Sequence, residues 1–274
     1  MKNILAIWAN LGWRAFQVLG PVQYLRFLVL FFLNLPVIIS RRVLTTVDKG
    51  MGTKPLRINY RGTRFIFDCK YCDQKIKDGS YSFGIVREIY LRDCYFRHHD
   101  PSVFSTSRTV LDLGANRGSF SVLMATHADQ VICVDVVPDF ADIIRQNMKI
   151  NGFQNYVFDC ALIGDGGSYA GPVKSITTIE EILHRHHMLS VDFLKMDLEG
   201  SEFALFRSPS WLQCVKHLSM EVHPDYGDVQ VILDTLKDFG FTYVVTDHLF
   251  RPTVQLGKIS YIYASKVVGV EHYS

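Results

Sequence analysis

Residues 109–121 read TVLDLGANRGSFS. Val110-Leu111 opens a short apolar strand closed by Asp112. A turn punctuated by Gly114 and Gly118 follows, and Phe120, Val122, Leu123 and Ala125 resume with helical spacing. Strand, glycine turn and helix together predict backbone N–H groups presented to a nucleotide-like ligand at the carboxyl end of the first strand of an α/β sheet. Glycines four apart do not match the G-x-G-x-x-G spacing that seats a pyrophosphate. An acid at the strand end suits a positively charged ligand better than a diphosphate. S-adenosylmethionine, with a sulfonium, an α-amine and no phosphate, is such a ligand.

From Thr109 onward, strands and helices alternate. Strands are expected at 109–113, 131–135, 156–160, 191–197, 217–222, 242–247 and 259–264, and helices at 118–126, 138–150, 178–187, 200–207 and 227–239. The early strands are apolar without strict alternation, as in a mostly parallel sheet with helices on both faces. The last two strands follow one another with no helix between them, so they should pair antiparallel. The expected architecture is therefore α/β, a Rossmann-like sheet of seven strands.

Further acids fall at predicted strand ends. Asp135 closes the second strand, where a carboxylate can accept both ribose hydroxyls of an adenosine; capping of the next helix is its alternative role. Asp159 and Cys160 end the third strand, in position to bracket adenine. The densest cluster is KMDLEGSE, with Lys195 and Asp197 on one strand face by the period of two. Glu202 sits in the first turn of a helix, where a carboxylate suits the dipole. Glu221 and His223, two apart, point to the same sheet edge. Asp197, Glu221, His223 and Lys195 are the catalytic candidates; Asp112, Gly114, Asn116, Gly118, Asp135, Asp159 and Cys160 are the cofactor-binding ones. No metal is expected: Cys69 and Cys72 have C-x-x-C spacing without a second pair, Cys69 ends a predicted strand, and His184, His186 and His187 suit a helix C-terminus.

These pieces resemble a known family. VLDLGANRGSFS, the acidic end of VICVD, and VDFLKMDLEGSE followed by SMEVH are similar to the FkbM-type methyltransferases, which are class I S-adenosylmethionine-dependent O-methyltransferases on a seven-stranded sheet. The resemblance spans roughly residues 84–265, with IVREIYLRDCY similar to the family's lead-in helix. DLGAN-x-G alone marks only the wider methyltransferase class; joined to LKMDLEGSE it is far more specific. It implies that Asp112, Gly114, Asn116 and Gly118 hold the methionyl end of the cofactor and Asp135 the ribose, where the family commonly has Glu.

Residues 1–47 lie outside that resemblance. They hold no Asp or Glu, and Gly20-Pro21 divides them into two expected helices. The apolar run from Phe27 to Leu33 is shorter than the roughly 20 residues of a free-standing span. A basic, Trp-containing amphipathic segment fits an anchor on an anionic membrane surface, with packing on the core or on a second copy as the alternative. The chain is accordingly divided into this segment, a pre-domain of residues 48–108 with a hairpin at 57–68 and a helix at 84–97, and a catalytic domain of residues 109–274.

With 274 residues, 48% of them hydrophobic, the chain can bury a full core. A net charge of +2 and the lack of a basic, aromatic-interleaved tract give no call for nucleic acid. Six scattered cysteines suit reduced thiols and the cytoplasm. The expected function is methyl transfer to a hydroxyl of a small molecule, sugar or lipid-linked acceptor. Neither the Asn/Asp-Pro-Pro-aromatic nor the Pro-Cys signature of amine and cytosine methylation is present. The competing functions are an NAD-type oxidoreductase, disfavoured by the glycine spacing, and a non-catalytic membrane adaptor on a degenerate nucleotide fold.

Overall fold

The computed structural model describes residues 2–266 except 168, 170, 172 and 174, with side chains from residue 12 onward. The helices, in chain order, are α1 (Lys2–Leu33), α2 (Leu35–Arg41), α3 (Thr45–Met51), α4 (Cys69–Lys75), α5 (Ser82–Val86), α6 (Pro101–Thr106), α7 (Ser119–Met124), α8 (Phe140–Ile150), α9 (Ile179–Arg185), α10 (Glu202–Leu205) and α11 (Val229–Asp238). The strands are β1 (Leu56–Tyr60), β2 (Thr63–Phe67), β3 (Thr109–Leu113), β4 (Gln130–Asp135), β5 (Tyr156–Cys160), β6 (Leu162–Ile163), β7 (Ile176–Thr177), β8 (Val191–Met196), β9 (Val215–Glu221), β10 (Phe241–Thr246) and β11 (Tyr261–Lys266). The chain resolves into two compact units. One holds residues up to Cys94 with 116–126 and 139–154; the other holds 95–115, 127–138 and the chain from Asn155 on.

The second unit contains the whole central sheet, in strand order β10-β11-β9-β8-β3-β4-β5. The pairs β9–β8, β8–β3, β3–β4 and β4–β5 are parallel, and β11 pairs antiparallel with both β9 and β10. The expected seven-stranded, mostly parallel sheet with an antiparallel final pair is what forms. Chain direction through the sheet reverses at β3, so β3 and β8 flank a switch point, the place where open α/β sheets bind ligands. One sheet face is closed by an apolar layer. Leu111, Leu113, Ile132, Val134, Leu194 and Met196 meet Ile182 of α9, Trp211, and Ile232 and Leu236 of α11. Thr178 starts α9 with a capping box: its side chain accepts from the Glu181 N–H, and Glu181 answers the Thr178 N–H. The opposite face receives Phe96, whose ring lies 4.5 Å from that of Phe193, with Phe104 of α6 against Phe96.

The expected helix at 200–207 shortens to the single turn of α10. Glu199 (φ 51) and Gly200 (φ 104) hold the preceding chain in left-handed conformations that no helix continues.

In the first unit, β1 and β2 form the expected hairpin, turned by Arg61 (φ 48) and Gly62 (φ 87), the two left-handed residues of a type I′ turn. The helix expected at 84–97 is α5 followed by a π-helical turn, Arg87–Leu91. It stops before Asp93, whose φ is 60. The Asp93 carboxylate, nearly buried, accepts from Tyr60 Oη and pairs with Arg14 at 2.7 Å and Arg61 at 2.9 Å. Burial first, then the Asp93 charge, pushes the Tyr60 hydroxyl well above its ordinary pKa. Cys69 begins α4 rather than ending a strand, because Asp68 caps the helix by accepting from the Tyr71 N–H.

α1 is kinked where Gly20 takes φ 69. Despite that break, Gly12–Leu33 is long and apolar enough, by length and composition, to cross a membrane, contrary to the expectation of too short a run; Arg14, Gln23 and Arg26 dilute it too little. One side of this helix is nonetheless bound to its own unit. Ala15, Val18, Leu19, Phe27 and Phe31 are buried. Gln23 exchanges hydrogen bonds with both backbone groups of Arg57, and Arg26 donates to the Gly50 carbonyl. The other side carries Trp13, Val22, Leu25, Val29, Phe32 and Leu33, all exposed.

Candidate active site

The register Asp112↔Lys195 places these two residues side by side, and the period of two puts Cys133, Asp135, Cys160, Lys195 and Glu221 on the same sheet face as Asp112. Asp159 pairs with Val134 and so belongs to the other face, where its carboxylate is bonded by Arg185 and by His186 Nε2 at 3.1 Å. Cys160 Sγ lies 3.7 Å from the Val136 carbonyl.

At the carboxyl ends of β3 and β8 the backbones nearly touch. A Cβ on Gly114 would stand 1.8 Å from the Asp197 carbonyl oxygen, and Gly114 has φ 74, so only glycine fits both the contact and the conformation. Lys195 lies beneath this crossing, almost fully buried. Its ammonium donates to the carbonyls of Leu113 (3.3 Å) and Gly114 (2.5 Å), and lies 3.3 Å from Asp112 Oδ1 and 3.9 Å from Asp197 Oδ2. Burial pulls the ammonium's pKa down, but the Asp112 and Asp197 charges outweigh it and hold Lys195 above its ordinary value. Tyr95 completes the group: its hydroxyl is 3.3 Å from Asp197 Oδ2, and the Lys195 ammonium sits 5.5 Å from its ring centroid.

Glu202 organises the next shell. Fully buried, it accepts from the Gly200 N–H (2.9 Å) and the His223 N–H (2.8 Å), and lies 3.0 Å from His223 Nδ1. Burial lowers the imidazole's pKa, but the Glu202 hydrogen bond and the charges of Glu202, Asp197 and Glu221 overcome it and raise His223 to about 9. His223 Nε2 faces Glu199 at 3.5 Å. Asp197, Glu199 and His223 each bring one ligand atom within 4.8 Å of the others, a set of donors suited to a divalent cation. Sequence spacing alone does not announce that convergence.

Asp135 ends β4 and accepts from the Val137 N–H at 2.9 Å, turning the chain rather than capping the next helix. Asn116 and Gly118, which continue the Gly114 turn, belong to the other unit. Both are left-handed, and a Cβ on Gly118 would lie 2.5 Å from Ile144 Cγ1 of α8. Beside them, Arg117 Nε and Ser119 Oγ are buried without a hydrogen-bond partner among the described residues. An unmet buried donor costs about 1–3 kcal/mol, so the pair calls for an acceptor. Sequence reasoning missed Tyr95 and Arg117 as site residues. The only local signal for Arg117 is its place inside the glycine turn.

The sheet, its switch point and the acids along one face make a Rossmann-like α/β framework with a candidate ligand site at the β3 and β8 ends. Residues 112–243 match the family described as Methyltransferase FkbM domain. The cofactor this family implies is S-adenosylmethionine. One relative is the uncharacterized protein MJ1452 of Methanocaldococcus jannaschii, 29% identical over 94 residues; the match covers 34% of this chain and 35%, about a third, of that protein. Among solved structures, an rRNA methylase from Streptococcus thermophilus is 13% identical with TM-score 0.43, covering 61% of this chain and 90% of that one. SMU.1697c of Streptococcus mutans, in complex with SAH, is 11% identical with TM-score 0.42, covering 61% and 94%.

Proposed function

We propose that the protein transfers a methyl group from S-adenosylmethionine to the oxygen of a hydroxyl on a small molecule, sugar or lipid-linked acceptor. The observation that carries this is the meeting of Asp112, Lys195 and Asp197 at the switch point, beneath a turn in which Gly114 leaves no room for a side chain. The strand-end residues suit the cofactor: Asp112 and Asp197 are acids that can face a positively charged ligand, and a carboxylate ends β4. When bound, S-adenosylmethionine supplies an electrophilic methyl on a sulfonium.

Asp112 and Gly114 hold the methionyl end, and the Asp135 carboxylate takes the ribose hydroxyls. Lys195 ties the β3 and β8 ends together through four contacts, which supports a positioning role. On the acceptor side Asp197 receives the proton as the hydroxyl oxygen attacks. His223, raised to about 9 by Glu202 and its neighbouring carboxylates, is an imidazolium at neutral pH, so it holds negative charge rather than accepting the proton. Glu221 lies on the same face and adds to the field around His223. Asp159, occupied by Arg185 and His186, serves the adenine end through its backbone, beside Cys160. Calorimetry with S-adenosylhomocysteine tests the cofactor reading: wild type binds, Asp135→Ala binds at least about tenfold more weakly, and equal affinity in the variant rejects the ribose role.

The outward face of α1 is read as lying on an anionic membrane surface. Its exposed apolar side chains include Trp13, and Arg41 at the end of α2 and Arg42 just after it follow in an acid-free segment. Because the inner face is bonded to its own unit, the helix lies along the surface rather than across the bilayer. Six free thiols support a reducing, cytoplasmic side.

A further inference from the structure

Charge is unevenly spread along the chain. Residues 1–67 hold ten of the 29 Lys and Arg and a single acid, Asp48, which is buried and paired with Arg87 at 3.0 Å. Residues 68–274 therefore carry 19 basic and 26 acidic side chains. A formal charge of +2 thus conceals one strongly positive end.

The β1–β2 hairpin concentrates that excess. It contains Arg57, Arg61 and Arg64 and no acid. Alternation buries Leu56, Ile58, Tyr60, Phe65 and Phe67 and leaves Arg57, Asn59 and Arg64 exposed on the other face. Arg57 faces Ile66 across the ladder and Arg64 faces Asn59, so the two arginines are diagonal neighbours of like charge. Neither has a carboxylate partner among the described residues. Exposed arginines elsewhere do: Arg108 pairs with Asp129, Arg145 with Asp142, Arg207 with Asp165 and Arg251 with Asp247. Arg61, at the turn, shares the single carboxylate of Asp93 with Arg14, so that cluster also keeps a surplus positive charge.

Both hairpin edges are closed. Gln23 of α1 bonds the two backbone groups of Arg57, and the Asn151 side chain does the same for Ile66. The open surface is the basic face itself. Beside Gln23, α1 turns Val22, Leu25, Val29 and Phe32 outward at helical spacing. No charge interrupts that stripe, because Arg14 and Arg26 bond inward to Asp93 and to the Gly50 carbonyl. An apolar stripe bordered by unmatched guanidinium groups matches the two layers of a bilayer interface, acyl chain and headgroup phosphate. Nucleic acid or an acidic peptide would use the arginines but leave the aliphatic stripe in water.

We propose that the outward face of the β1–β2 hairpin, through Arg57 and Arg64 with Arg61 at its turn, binds the headgroup phosphates of anionic lipids alongside α1. This rests on the membrane-surface reading of α1 and adds to it the class of lipid and the residues that select it. The hairpin also fixes the rotation of the helix on the surface, since the phosphate contacts lie on one flank of the stripe.

The test measures partitioning of the full chain onto vesicles of phosphatidylcholine alone and of phosphatidylcholine with phosphatidylserine. Arg57→Gln with Arg64→Gln should weaken binding to the phosphatidylserine vesicles by roughly thirtyfold, about fivefold per charge. The loss should shrink as salt is raised, and binding to phosphatidylcholine alone should stay within about twofold of wild type. Arg57→Lys with Arg64→Lys keeps the charge and should stay within about threefold on both vesicles. Arg207→Gln with Arg251→Gln removes the same net charge elsewhere and should leave binding within about twofold. Equal losses in the two glutamine pairs would mean a net-charge effect, and an unchanged affinity in Arg57→Gln with Arg64→Gln would mean that the hairpin does not touch lipid. Weakened binding of single-stranded RNA with vesicle binding intact would give the arginines to nucleic acid. Each of these overturns the hairpin assignment and leaves the reading of α1 standing. Failure of wild type to bind either vesicle would remove that reading too.

Discussion

His223 Nδ1 lies 3.0 Å from Glu202 Oε1, a carboxylate with no exposure to solvent. That contact fixes which imidazole nitrogen faces the β8 terminus, and it makes the site's charge depend on a residue that touches no substrate.

Glu202→Gln should bring the His223 pKa down from about 9 toward the ordinary histidine range, read by NMR titration of the imidazole. The sign for stability follows from the raised folded pKa. The pair's stabilisation is fully present below the unfolded value near 6.5 and is lost as pH rises through about 9. The variant should therefore lose stability at pH 6, on the order of 3 kcal/mol, and the gap to wild type should narrow by pH 9.5. A His223 titration unchanged by the substitution would contradict the assignment of the shift to Glu202.

Gly114→Ala should be far more damaging than alanine at another left-handed glycine. Its Cβ would meet the Asp197 carbonyl at 1.8 Å, whereas Gly152, with φ 72, has open space. Gly152→Ala should cost about 1–2 kcal/mol, the conformational penalty alone. Gly114→Ala adds a backbone clash and should also abolish S-adenosylhomocysteine binding. Thermal melts and calorimetry on the two variants check this, and similar behaviour in both would undo the close-approach argument.

The α1 surface is best probed without removing it. Phe27 and Phe31 are buried against the helix's own unit, at about 1.5–3 kcal/mol each, so truncation would unfold what it is meant to test. Val22→Glu with Leu25→Glu changes only exposed positions. The double variant should keep its far-ultraviolet circular dichroism and melting point but lose most of its co-sedimentation with phosphatidylserine-containing vesicles. Undiminished co-sedimentation would reject the membrane-surface reading.

Much of the fold was legible because the sheet strands are apolar runs bounded by acids and glycines. The segments around Val110, Ile132, Phe193 and Met220 needed no partner to be recognised. Within single strands, parity paired Lys195 with Asp197 and Glu221 with His223, while the register between strands brought Asp112, Lys195 and Glu221 to one face. Parity within one strand could not assign Asp159, since the register with Val134 decides its face. Helix ends were misjudged where a left-handed residue intervenes, as at Asp93 and Glu199. Tyr95 and the Asp78–Arg117 pair were invisible for a different reason: they are contacts over 102 and 39 residues, and no periodicity encodes them.

The central claim is methyl transfer from S-adenosylmethionine with Asp197 on the acceptor side. The most direct measurement is transfer of radiolabelled methyl from the donor into membrane-extract and soluble-metabolite pools, run separately for wild type and Asp197→Asn, with S-adenosylhomocysteine affinity measured in parallel. The account predicts that wild type labels an acceptor in one pool. The variant should bind S-adenosylhomocysteine as wild type does and lose transfer by about a hundredfold or more. Transfer by Asp197→Asn at the wild-type rate would contradict it.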